Sequence, residues 1–128
     1  MGFLKNILSM FKPVAYSIEF QQSCNFRGFK RYKIANYGFE EAQENINTIR
    51  SQNPKLDFKD SIIRIELSTA VTGVEYLGIF ADGLRIGSIF FDNGKYSDLL
   101  KAFKQGKISA ACVNARDDEL YFYAKLEE

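Results

Sequence analysis

Between Glu19 and Glu40 the chain carries no carboxylate, yet it holds Arg27, Lys30, Arg31 and Lys33. Phe26, Phe29 and Tyr32 are interleaved with them, in the run Phe-Arg-Gly-Phe-Lys-Arg-Tyr-Lys. Proteins that bind single-stranded nucleic acid use this mixture, because cations track phosphates while aromatic faces stack bases of any identity. The net charge is +1 over 128 residues, so with +4 in this segment the remainder carries −3. The molecule as a whole has little field with which to draw in a polyanion, and attraction must be local. The competing reading is plain: a charge run is the ordinary solvated face of a domain, and alternate aromatics are ordinary core.

Histidine is absent. Its absence removes Ser-His-Asp and Cys-His nucleophile activation, the usual general base near neutral pH, and the commonest transition-metal ligand. No Gly-rich loop ending in Lys-Ser/Thr is present for phosphate chemistry. Asp57, Asp60, Glu66 and Glu75 have no spacing that would pair them, and Asp117-Asp118-Glu119 reads as an exposed turn. No catalytic residue, metal ligand or cofactor is assigned. An enzyme working with carboxylates alone is the weakest of the functional readings. Cys24 and Cys112 lie far apart without a CxxC spacing. Cys112, within Ile108-Ser109-Ala110-Ala111-Cys112-Val113, reads as a small buried hydrophobe; a disulfide is open to the two cysteines but nothing demands it, and a reducing, cytoplasmic compartment is the expected location.

The elements that position these residues follow from periodicity. Residues 1–12 form an apolar stretch in which Phe3, Ile7, Leu8 and Phe11 share one helical face. Its length as a helix, roughly 15 Å, is too short for a bilayer core of about 30 Å. It is expected to be an N-terminal amphipathic helix that docks on its own domain, on a second copy or on a protein partner, with a membrane-surface anchor as the lesser alternative. Residues 13–128 are expected to be one domain. Val14–Phe20 reads as a strand. Phe39–Arg50 reads as a helix, with Phe39, Ala42, Ile46 and Ile49 on one face and Glu40 and Glu41 in the first turn. Ser61–Ser68, Val74–Ala81 and Leu84–Phe91 read as strands, the last two flanking the hairpin turn Asp82-Gly83. Tyr96–Gln105 reads as a second helix stopped by Gly106, and Lys107–Ala115 with Leu120–Leu126 as a closing hairpin. In that last strand Leu120, Phe122, Ala124 and Leu126 face one way and Tyr121, Tyr123 and Lys125 the other. The expected class is α+β: a small curved antiparallel sheet or partly open β-barrel with two main helices and the N-terminal helix.

A two-residue Asp82-Gly83 turn sets the central hairpin by counting. Ala81 then opposes Leu84, Ile79 opposes Ile86, Leu77 opposes Ser88, and Gly78 faces Gly87. Paired glycines would leave a gap in the side-chain layer: a barrel corner, a gap covered by a neighbouring aromatic, or a flat platform beside Phe80 and Arg85 where a ring could lie.

The run Tyr76-Leu77-Gly78-Ile79-Phe80-Ala81-Asp82-Gly83-Leu84-Arg85-Ile86-Gly87-Ser88-Ile89 resembles the HIRAN family of small β-rich domains. Asp82-Gly83, Ile86-Gly87 and the Leu99-Leu100 helix follow the family's order of turn, Gly-containing strand and helix, and the resemblance spans roughly residues 61–105. In place of the family's Asn-Pro-Tyr-Asp-like loop, this chain has Thr69-Ala70-Val71-Thr72-Gly73. The resemblance implies binding of single-stranded DNA or DNA ends. The expected function is thus a non-catalytic nucleic-acid-binding module. Arg27, Lys30, Arg31 and Lys33 would meet phosphates, Phe29, Tyr32 and Phe80 would stack bases, and Arg85 would border the platform beside Phe80. The alternative is a protein-interaction or structural module.

Overall fold

A computed structural model describes residues 17–22, 25–35 and 40–127. The expected N-terminal helix lies outside the described residues, as do Val14–Tyr16 and Phe39. Seven strands and two helices follow in order: β1 (Ser17–Gln21), β2 (Lys30–Lys33), α1 (Glu40–Gln52), β3 (Ile62–Thr69), β4 (Glu75–Ala81), β5 (Leu84–Phe90), α2 (Ser97–Lys104), β6 (Ile108–Arg116) and β7 (Glu119–Leu126). They form two antiparallel sheets, β1-β3-β4-β5 and β2-β7-β6, rather than a closed barrel. Among the described residues no helix is long and apolar enough to cross a membrane.

The alternation in each strand explains the core. Ile63, Ile65 and Leu67 of β3 and Leu77 and Ile79 of β4 turn inward from one sheet. Val113 of β6 and Leu120, Phe122 and Ala124 of β7 turn inward from the other. Ala42 and Ile46 of α1 and Leu99 and Phe103 of α2 are buried, as their helical spacing requires. The β6–β7 turn is two residues, Asp117-Asp118, both in the left-handed region (φ 54° and 65°), which matches the twist of the flanking strands.

β2 is the strand that periodicity did not announce, because one apolar residue among three cations gives no alternation to read. It exists through its partner: Lys30–Lys33 pairs with Ala124–Tyr121 of β7. The same run of chain then changes sheets. Ile34 donates its N–H to Leu120 O at 3.0 Å, and Ala35 exchanges two backbone hydrogen bonds with Ser88 of β5, both 2.8 Å. At the opposite seam the Gln22 side chain substitutes for a strand. Its Nε2 donates to Val113 O (2.8 Å), and its Oε1 accepts from Val113 N–H (2.9 Å).

This crossing corrects the expected hairpin register. Ala81 does oppose Leu84, but a bulge shifts the pairing, so that Gly78 faces Ser88 and Gly87 faces Ile79. Neither glycine leaves a gap. Gly87 lies under the crossing chain, where a Cβ would come 2.7 Å from Ala35 O and collide with Ile34 Cγ2. Gly78 lies under Arg85, whose Nη1 would sit 2.8 Å from a Cβ.

Cys112 is fully buried, as its apolar run requires, and it is disulfide-bonded. The chain's other cysteine, Cys24, lies outside the described residues.

Overpacking at a site closed by backbone cannot relax by a rotamer change. Gly87→Ala is expected to destabilise the fold by about 1–3 kcal/mol or more, read from the denaturant midpoint. An unchanged midpoint for Gly87→Ala would mean that residues 34–35 do not cross there.

Candidate nucleic-acid interface

Because β2 pairs with β7, its residues divide between two faces. Tyr32 points inward and is only 3% exposed. Its hydroxyl donates to Asp98 Oδ2 at 2.9 Å, and its ring meets Tyr96 edge-on at 5.1 Å. Burial first, then the bond to Asp98, pushes the Tyr32 phenol well above its ordinary pKa. Lys30 reaches the same carboxylate, with Nζ 2.9 Å from Asp98 Oδ2. Partial burial opposes ionisation of Asp98. Hydrogen bonds from Lys30, Tyr32 and the Leu99 N–H outweigh it and hold the carboxyl below its usual range. Lys30 and Tyr32 therefore tie β2 to the start of α2 and do not present a binding strip.

Arg31 and Lys33 point the other way, onto the outer face of the three-stranded sheet. The register sets Arg31 beside Tyr123 and Cys112, Lys33 beside Tyr121 and Asn114, and Glu119 beside Arg116. The Arg31 guanidinium lies over the Tyr121 ring, 4.8 Å from its centroid. Tyr121 donates its hydroxyl to Glu119 Oε2 at 2.8 Å, and Lys33 Nζ sits 2.9 Å from Glu119 Oε1. The bonds from Lys33 and then Tyr121 lower the Glu119 pKa, and the Glu119 contact raises those of Lys33 and Tyr121. Lys33 is thus neutralised locally.

The turn before β2 folds over the same face. Phe26, with φ 63°, packs edge-on against Tyr123 with centroids 4.9 Å apart, leaving Tyr123 8% exposed and Phe26 48% exposed. The Arg27 N–H donates to Asn25 Oδ1, and Gly28 lies next to the Lys125 stem. Arg27 stands exposed on this turn, while Phe29 is half-buried. Phe26, Arg31, Asn114, Arg116 and Tyr123 line an open depression of about 530 Å³. None of these five is acidic, and among the described residues neither Arg31 nor Arg116 has a carboxylate within ion-pair distance.

Phe80 and Arg85 lie elsewhere and form no platform. Phe80 is 8% exposed, with Arg64 over its ring at 4.2 Å and Arg85 at 4.7 Å. Arg85 Nε is bound to Glu41 Oε1 at 3.0 Å, and Asn45 of α1 donates to Arg85 O. The expected group is therefore split: Arg27, Arg31 and Lys33 on or beside the outer face, Phe29 half-buried at the end of the turn before β2, Lys30 and Tyr32 on Asp98, and Phe80 and Arg85 away on the four-stranded sheet. The residues the segment-based reading passed over are Tyr121, Tyr123, Asn114 and Arg116. The outward alternation of Tyr121 and Tyr123 along the last strand was the signal for them. Among the described residues, no three Cys, Asp or Glu side chains gather as a metal-binding group.

No protein-family model matches the chain, and no curated protein or solved structure matches it significantly.

The Asp98 contacts give a pH dependence of definite sign. A carboxyl whose pKa is lowered by folding adds stability above its unfolded pKa, near 4 for aspartate (about 3.9), and that stability is lost as pH falls through the folded value. Asp98→Asn is expected to lower the thermal midpoint at pH 6, with the difference from wild type shrinking as pH drops below about 4. A difference that stays constant down to pH ~3 would show that the charge of Asp98 is not what binds Lys30 and Tyr32.

Proposed function

We propose that this chain is a non-catalytic module that binds single-stranded nucleic acid on the outer face of its three-stranded sheet. The observation that carries the reading is the gathering of Phe26, Arg31, Asn114, Arg116 and Tyr123 around one acid-free depression. An exposed ring offers a stacking surface, and flanking guanidiniums offer phosphate contacts of fixed geometry. Asn114 adds an amide that can meet a base edge. Arg27 on the covering turn extends the cationic border, and the cation–π contact of Arg31 holds its charge at the surface. The HIRAN-like run supports DNA, including strand ends, as the ligand. The sheet face by itself asks only for an unpaired base and its phosphate.

A fluorescence anisotropy titration with labelled single-stranded oligonucleotides at several salt concentrations tests this. Phe26→Ala is expected to weaken binding by about 1–3 kcal/mol, the usual worth of one stacked base. Arg31→Ala and Arg116→Ala should each reduce the slope of log K against log salt by about 0.7. Phe80→Leu should leave the affinity of the folded protein unchanged. Binding absent at low salt, or indifferent to Phe26 and Arg31, would end the proposal.

A further inference from the structure

A second recess, of about 680 Å³, opens where the C-terminal half of α1, the chain just after β2 and the β6–β7 turn converge. Its floor is apolar, made by Ile34, Ile46 and Leu120, all nearly fully buried. Its walls are charged. Lys33 and Glu119 line one side but satisfy each other at 2.9 Å. Arg50, in the last turn of α1, and Lys95, just before α2, come from separate elements, and among the described residues neither has a carboxylate within ion-pair distance. Lys95 is held over the Tyr96 ring, its Nζ 5.1 Å from the centroid. Asp118, fixed in the left-handed region by the β-turn, supplies an acceptor on the same rim.

This combination specifies a ligand. The apolar floor takes a ring or alkyl body, Arg50 and Lys95 take an anionic group, and Asp118 takes a hydrogen-bond donor at the ligand's other end. The volume lies in the range of small-molecule sites, about 300–1,000 Å³, and is ample for one mononucleotide. We infer that this recess is a binding site for a small organic phosphate of nucleoside monophosphate size, held by Arg50 and Lys95 over Ile34, Ile46 and Leu120. Arginine favours phosphate because its planar fork meets two oxygens at once, and Lys95 adds a point charge. The site goes beyond the sheet-face reading and stands without it, since Arg50 and Lys95 are not among the residues of that face.

Isothermal titration of the full chain with AMP, and separately with adenosine, tests the inference. AMP is expected to bind saturably in or below the low-millimolar range, and adenosine about tenfold or more weaker, because it lacks the charged group. Arg50→Gln and Lys95→Gln should each weaken AMP about tenfold without changing the thermal midpoint appreciably, as both side chains are exposed. Amide chemical shifts should move at Ile34, Ile46 and Leu120. Absence of saturable AMP binding, equal affinity for adenosine, or retention of AMP by the double variant would overturn it. So would AMP shifts confined to Phe26, Arg31 and Tyr121, a result that would favour the sheet-face interface instead. If oligonucleotide binding fails while AMP still titrates into the recess, the sheet-face reading falls alone.

Discussion

Residues 34 and 35 leave one sheet and enter the other within a single step, and they can do so only because position 87 has no side chain. The Ala35–Ser88 hydrogen bonds bring two backbones together over Gly87 so closely that a Cβ would meet a carbonyl oxygen. Much of the fold takes its geometry from that contact. It joins the edge of the four-stranded sheet to the three-stranded one and fixes where β2 must lie along β7. With β2 fixed, its alternation sends Tyr32 into the core and Arg31 and Lys33 to the outside. The bulge in β5 belongs to the same constraint, since it turns Gly87 toward the crossing chain and lets Arg85 fold over Gly78.

Electrostatics then sorts the cations by what each can reach. Lys30 finds Asp98, Lys33 finds Glu119 and Arg85 finds Glu41. Exposed pairs of this kind contribute little stability individually, but they remove their charges from the pool available to a ligand. Arg31 and Arg116 remain on a face whose depression contains no acid, beside a ring that is half exposed. A net charge of +1 thus coexists with a local cationic surface, and the location of that surface is set by strand pairing rather than by the density of lysine and arginine in the sequence.

Most elements were legible because their apolar spacing is strong. Ile63, Ile65 and Leu67 alternate without ambiguity, and Ala42 and Ile46 share a helical face. The alternation of the last strand marks its inward and outward sets, and its outward tyrosines, Tyr121 and Tyr123, fall on the face of the candidate interface. What local pattern could not supply was long-range. Nothing in Lys-Arg-Tyr-Lys marks a strand until β7 provides a partner about ninety residues away along the chain. Counting from a turn assumes an unbroken ladder, so the bulge near Ile79 and Phe80 was invisible and the Gly78–Gly87 pairing failed with it. The cation run looked like one strip because sequence proximity was taken for spatial proximity. A strand separates neighbours by face, and Tyr32 and Arg31 end on opposite sides of one sheet.

The most direct measurement is an amide and side-chain NMR titration of the chain with a short single-stranded DNA. The account predicts that perturbations concentrate at Phe26, Arg27, Arg31, Asn114, Arg116, Tyr121 and Tyr123 and fade as salt is raised. Perturbations centred instead on Phe80, Arg85 and α1, with the outer face of the three-stranded sheet silent, would contradict it.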